Sequence, residues 1–239
     1  MHLKASDEFE QERLDGVNAV LNNAAMLPDG AHIIYTGDFN FYHNNEPGYE
    51  QMLASGPMQT FDPLGSGSWA GPGNSIKHTQ SPRLDPFGGL IGGGLDDRFD
   101  FQFVNLAMND GDGLAIIPGT YRTVGNDGEH YNSSINSGNN FYYPDDIPAS
   151  NALADDLFFA SDHLPLMVDY QLPAMLQAFA QPNDVGRVIQ GAMVQVSVTV
   201  SNTAQVDDPI GADVLSFTAD GTGDVIGLEE GEIEAGDQV

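Results

Sequence analysis

The chain has 239 residues, 41% of them hydrophobic, which suits one large domain or a medium and a small one and argues against wholesale disorder. Seven Lys and Arg stand against 35 Asp and Glu, a formal net charge of −28, which argues against a non-specific nucleic-acid grip through a basic groove. There is no cysteine, so disulfides and zinc–thiolate sites are excluded, and no apolar run is long enough to cross a bilayer.

Residues 1–4 read as the end of a strand. Residues 7–25 read as a helix: Val17, Val20, Leu21 and Ala24 recur at helical spacing, with acids in the first turn, where the helix dipole favours them. Pro28-Asp29-Gly30 marks a turn, and Ile33-Ile34-Tyr35 predicts a strand buried on both faces. That strand opens into Gly37-Asp38-Phe39-Asn40. Pro47 and Gly56 bracket a second helix. From Phe61 to Gly94 the chain is rich in Gly, Pro and Ser and predicts a long excursion; its glycines lack the spacing of a phosphate loop. Trp69 reads as an anchor of that excursion, and His78 and His130 as solvated loop histidines.

Phe99, Phe101 and Phe103 alternate with Asp100 and Gln102, the period of a strand with two unlike faces. Leu114 to Val124 predicts one more strand, and residues 126–150 a polar loop. Ser161-Asp162-His163 forms a loop that feeds an apolar strand from Leu164 to Tyr170. After Pro173 the texture changes: Val194, Val196, Val198 and Val200 alternate with Gln195, Ser197 and Thr199, a half-buried strand. Asn202-Thr203 and Asp207-Asp208-Pro209 supply turns, and the acidic tail from Leu228 is expected to end without a closing strand.

Four polar segments fall at or near predicted strand ends: His2-Leu3-Lys4, Gly37-Asp38-Phe39-Asn40, Arg98-Phe99-Asp100-Phe101 and Ser161-Asp162-His163-Leu164-Pro165. Parallel or mixed sheets gather such ends along one rim, so these groups are expected to share a pocket. Their chemistry suits phosphodiester hydrolysis. Carboxylates such as Asp38 and Asp162 hold Mg²⁺ or Mn²⁺, which neutralises phosphoryl charge. His163 could take a proton from water if a carboxylate such as Asp100, with Asp97 its competitor, orients its ring. Asn40 offers an amide to a phosphate oxygen, and His2 a ring for phosphate or the leaving oxygen.

In order and spacing these segments resemble the endonuclease/exonuclease/phosphatase superfamily, most of all secreted bacterial members of deoxyribonuclease-like type; the resemblance covers residues 1–172. It implies an α+β fold, a four-layer α/β/β/α sandwich of which residues 1–172 are the C-terminal portion, with the N-terminal half missing. It also implies roles: Asp38 and Asn40 position water and phosphate, Asp100 pairs with the base His163, Asp162 binds metal, and His2 is the first catalytic histidine. Residues 173–239 resemble the start of a bacterial Ig-like module, an incomplete β-sandwich.

The expected function is metal-dependent phosphodiester hydrolysis by an extracellular or cell-surface nuclease. Mg²⁺ or Mn²⁺ is the expected ion, Ca²⁺ a further candidate, and nucleic acid the expected substrate. The missing half would bring a metal-binding glutamate, so these residues alone are expected to be inactive. Two alternatives remain open: a sphingomyelinase-like lipid phosphodiesterase, and a catalytically inactive cell-surface or adhesion protein.

Overall fold

Strand β1 (Ile34–Asp38) lies antiparallel to β3 (Asp100–Asn105), which in turn pairs with the two-residue β2 (Thr60–Phe61). The computed structural model that shows this describes residues 1–56, 58–205, 211–218 and 230–239. The turn expected at Asp207-Asp208-Pro209 and the start of the tail at Leu228 lie outside the described residues. Among the described residues the chain mixes helices with several small antiparallel sheets. It divides into two units, Met1–Asn109 with Pro118–Asp169, and Asp110–Ile117 with Tyr170–Val239.

In the first unit, helices α1 (Glu10–Ala24) and α2 (Pro47–Leu53) cover one face of this sheet. Val17 and Ala24 from α1 and Tyr49 and Met52 from α2 join Tyr35, Phe101 and Phe103 of the strands, with Phe39, Phe41 and Trp69, in one buried cluster. Phe101 and Phe103 stack at 5.0 Å, and Phe39 meets Phe103 edge-on at 5.1 Å, arrangements that aromatic quadrupoles favour. Trp69 is buried against Tyr49 and Phe101, as an anchor should be.

The other face of the sheet differs from expectation. Ile34 and Thr36 are exposed, so β1 is buried on one face only. The strand pairing is antiparallel, yet it still brings Asp38 directly opposite Asp100 at the sheet's end. Antiparallel register has placed two distant carboxylates side by side. His2 adds a parallel bridge to Asp38, fixed by Leu3 N donating to the Asp38 carbonyl at 2.9 Å. Gly37 is required there: at φ 140° an added Cβ would lie 2.0 Å from the Met1 carbonyl oxygen.

Three buried arginines tie loops to this frame. Arg13 pairs with Glu46 and donates to the carbonyls of Lys4 and Ser6. Arg98 grips Asp62 with two bonds of 2.7 and 2.8 Å and lies 4.2 Å from the Phe101 ring centroid. Arg83 donates to the carbonyls of Phe158 and Ser161, at the end of helix α3 (Ile147–Ala160), where a cation also meets the negative end of the helix dipole.

That helix takes the last four residues of the polar segment 126–150, which is otherwise loop, and continues through residues that the sequence reading left unassigned. Asp146 caps it by accepting from Ala149 N at 3.1 Å, and Pro148 sits in its first turn. Ala154, Leu157 and Phe158 then pack with Leu95, Ile135 and Leu164 in a second apolar cluster. His78 and His130 are buried rather than solvated. His78 faces the carbonyls of Leu95 and Trp69, and His130 faces Asp127 at 2.8 Å. Despite burial, the amides of Glu129 and Phe141 and the His130 ring hold the Asp127 carboxyl below its ordinary pKa. Residues 114–124 form two short strands, not one: β4 (Ala115–Ile116) and β5 (Arg122–Thr123), with a left-handed Gly119 between them.

β5 pairs with β6 (Leu166–Met167) inside the first unit, while β4 pairs with β7 (Tyr170–Gln171) inside the second. The apolar run from Leu164 to Tyr170 is thus split into two short strands. In the second unit β8 (Leu176–Gln181) pairs antiparallel with β9 (Ser197–Asn202), and β10 (Leu215–Thr218) with β11 (Glu230–Ile233). Val198 and Val200 lie in β9, whereas Val194 and Val196 precede it and are exposed. The acidic tail does form a strand, and beyond it Val239 N donates to Val200 O at 2.9 Å. Buried Asn202 ties these pieces together, donating to Asp213 O and Ile233 O and accepting from Met175 N.

Candidate functional site

Three of the polar residues singled out in the sequence stand next to an apolar side chain sunk in a core. Phe39 is fully buried beside Asp38, Phe101 beside Asp100, and Leu164 beside His163. Alternation along extended chain then turns the polar neighbour away from the core. This is how the local sequence aims the site.

Asp100 Oδ2 lies 2.6 Å from His163 Nδ1, with the two side chains 19% and 24% exposed. Both line a cleft of about 370 Å³ with Thr36, Gly37, Gln102 and Ser161. Ser161 Oγ accepts from His163 N at 3.1 Å, and Thr79 Oγ1 accepts from Asp100 N at 3.2 Å, so both backbones are fixed. Burial alone would lower the His163 pKa, but its hydrogen bond to Asp100 and the charges of Asp100, Asp38 and Asp162 prevail and raise it. Asp97, the rival partner, does not take this position; its backbone carbonyl accepts from Thr79 N and Gln80 N.

Asp38 is brought to the same corner. Its Oδ1 accepts from Asn40 N at 3.0 Å, and its Oδ2 lies 3.4 Å from His2 Nε2. Burial, then the neighbouring Asp100, raise its pKa, against the lowering effects of His163, the Asn40 amide and His2. His2 is 77% exposed, free to reach a bound group. Asn40 is buried with φ 51°, and its amide nitrogen donates to Leu3 O at 3.2 Å, so one of its hydrogens already serves the fold. Asp162 Oδ2 accepts from Ile91 N at 3.0 Å, which turns that carboxylate to the Gly-rich hairpin.

No protein-family model matches the chain, and no curated protein matches it. The site therefore rests on its own geometry.

For a hard divalent ion the donor chemistry fits in part. Asp38 and Asp100 face each other in register, and the charge of Asp100 raises the Asp38 pKa, a repulsion that a cation would relieve. Among the described residues no three His, Cys, Asp or Glu groups form a ready-made metal cluster. Mg²⁺ commonly uses one or two carboxylates and completes its shell with water and phosphate oxygens. Asp38 and Asp162 would be the carboxylates to hold it.

The segment 79–83 joins the two halves of the dyad, and its polar side chains carry no motif that marks it in sequence. Thr79 supports Asp100 through its hydroxyl, and its carbonyl accepts from Leu164 N at 2.8 Å. Gln80 Nε2 lies 2.8 Å from His163 Nε2, and Arg83 holds the Ser161 carbonyl at 2.9 Å. Close by, burial and the charge of Asp96, opposed by His43, push the Asp97 pKa up to about 6. The folded chain then keeps a proton that the unfolded chain releases above about pH 4. Stability is undiminished below that pH, falls as pH rises toward 6, and stays reduced above it. Asp97→Asn should remove the loss, stabilising the chain at pH 8 by about 1 kcal/mol after allowance for solvent screening, with little effect at pH 4. Thermal melts of both proteins at the two pH values check this; equal shifts at both would contradict it.

Proposed function

We propose that the chain contributes the site of a metal-assisted phosphodiester hydrolase, a secreted nuclease of the endonuclease/exonuclease/phosphatase type. In this reading residues 1–172 belong to a four-layer sandwich, and residues 173–239 to an Ig-like module. One observation carries it: Asp100 at 2.6 Å from His163, in a cleft, with Asp38 in register beside them.

Asp100 holds the proton of His163 on Nδ1, which leaves Nε2 to take a proton from water. The water oxygen forms the new bond to phosphorus, and the ester oxygen departs with the electron pair of the broken bond. His2, exposed beside Asp38, serves the leaving oxygen. Asp38 and Asp162 would hold Mg²⁺ or Mn²⁺, with Ca²⁺ a further candidate, and the ion would supply charge neutralisation at the phosphoryl oxygens.

A second reading, hydrolysis of a lipid phosphodiester, is favoured by one feature of the surface. Leu84, Phe87 and Ile91 are about half exposed on the Gly-rich hairpin, and Phe159 packs edge-on against Phe87 at 5.3 Å. Ile91 donates to Asp162, so this apolar patch adjoins the candidate metal ligand. The protein should be assayed with Mg²⁺ against DNA, RNA and sphingomyelin vesicles side by side. Turnover of nucleic acid alone supports the nuclease, and turnover of vesicles alone supports the second reading. No hydrolysis of any of them with Mg²⁺, Mn²⁺ or Ca²⁺ favours an inactive surface protein.

A further inference from the structure

The ring of His163 is held from both sides. Asp100 as a carboxylate only accepts, so the neutral ring carries its proton on Nδ1, 2.6 Å away. Nε2 then has a lone pair, and the carboxamide nitrogen of Gln80 lies 2.8 Å from it. An amide nitrogen only donates. Gln80 therefore fills the lone pair that a general base has to offer.

The backbone leaves Gln80 little freedom to be elsewhere. Its carbonyl accepts from Asp96 N and Asp97 N at 3.1 and 3.0 Å, and its own N–H donates to Asp97 O at 3.0 Å. It also forms a bridge with His163 itself. The residue is clamped between the chain that leads to Asp100 and the chain that carries His163.

We propose that Gln80 is a further member of the site, an inference that rests on the hydrolase reading above. In the resting chain its amide occupies the His163 lone pair. Substrate and water displace it, and the amide then donates to a non-bridging phosphoryl oxygen beside the attacked phosphorus. During attack the water proton passes to Nε2, the oxygen electron pair forms the bond to phosphorus, and Gln80 keeps its own protons. Its neutral dipole meets negative charge as that charge develops, in a partly buried place where such a donor is effective.

The test uses Gln80→Met, which keeps the side chain's length and removes its donor. In ¹⁵N-histidine-labelled chain, the His163 signals are assigned by their loss in His163→Asn. The unchanged signals of buried His78 and His130 report that Gln80→Met is folded. The parent ring should be the Nδ1–H tautomer, and in Gln80→Met its Nε2 resonance should move toward that of an unbonded imidazole nitrogen. In the full-length protein with Mg²⁺ and bis(4-nitrophenyl) phosphate, kcat should fall by about tenfold with KM altered by less than about twofold. An unmoved Nε2 resonance, or an unchanged kcat, overturns the role of Gln80 even if the parent hydrolyses the ester briskly. A parent that hydrolyses no phosphodiester overturns the hydrolase reading instead, whatever the ring spectrum shows, and the role of Gln80 with it.

Discussion

His163→Ala is expected to lower kcat/KM for phosphodiester hydrolysis by about 10²–10⁴-fold in the full-length protein, with the fold retained. The size follows from what the ring alone supplies. Among the described residues that line the cleft it is the imidazole, and it is joined there to a carboxylate. The fold should survive because the loop is held by other bonds: Leu164 is buried, Leu164 N donates to Thr79 O, and Arg83 holds Ser161 O. Steady-state rates together with circular dichroism check both halves. A rate within a few fold of the parent would reject the assigned role.

Asp100→Asn should cost about 10²–10³-fold in kcat through a different cause. Asparagine offers either a donor or an acceptor to Nδ1, so the ring loses the partner that fixes its proton there. The pH profile separates this from simple loss of packing. Burial acts to lower the His163 pKa, and Asp100 is the main group that raises it. The base works when neutral, so activity climbs as pH rises through that raised pKa. Removing the Asp100 charge should move the acid limb of the profile to lower pH while the plateau falls. A lower plateau with an unmoved limb would mean that Asp100 acts structurally alone.

Local pattern made some of this legible in the sequence. Helical spacing from Val17 to Ala24 marked α1, and the alternating phenylalanines marked β3 because Phe101 and Phe103 enter the core while Asp100 and Gln102 on the other face are only partly buried. Asp38, Asp100 and His163 could be picked out because each is a polar group in a short motif at or near a predicted strand end. What local pattern lacks is pairing. Nothing in Ile33-Ile34-Tyr35 says whether the strand runs parallel or antiparallel to its neighbour, or that Ile34 faces solvent.

Helix α3 escaped notice because its first turn follows directly on the Asn-rich polar segment; its cap at Asp146 and its proline were the available signal. His78 and His130 read as solvated because glycine and asparagine surround them, yet tertiary packing buries both against carbonyl and carboxylate oxygens. Gln80 carried no signal at all. Glutamines are common on surfaces, and only the fold places this one against Nε2.

The central claim is that Asp100 and His163 act as one unit on a bound phosphodiester. It is tested most directly by measuring kcat/KM in Mg²⁺ for His163→Ala, Asp100→Asn and the double variant. Residues that work through each other are strongly non-additive, so the double variant should be about as slow as His163→Ala alone. Losses that simply multiply would show two independent residues and contradict the account.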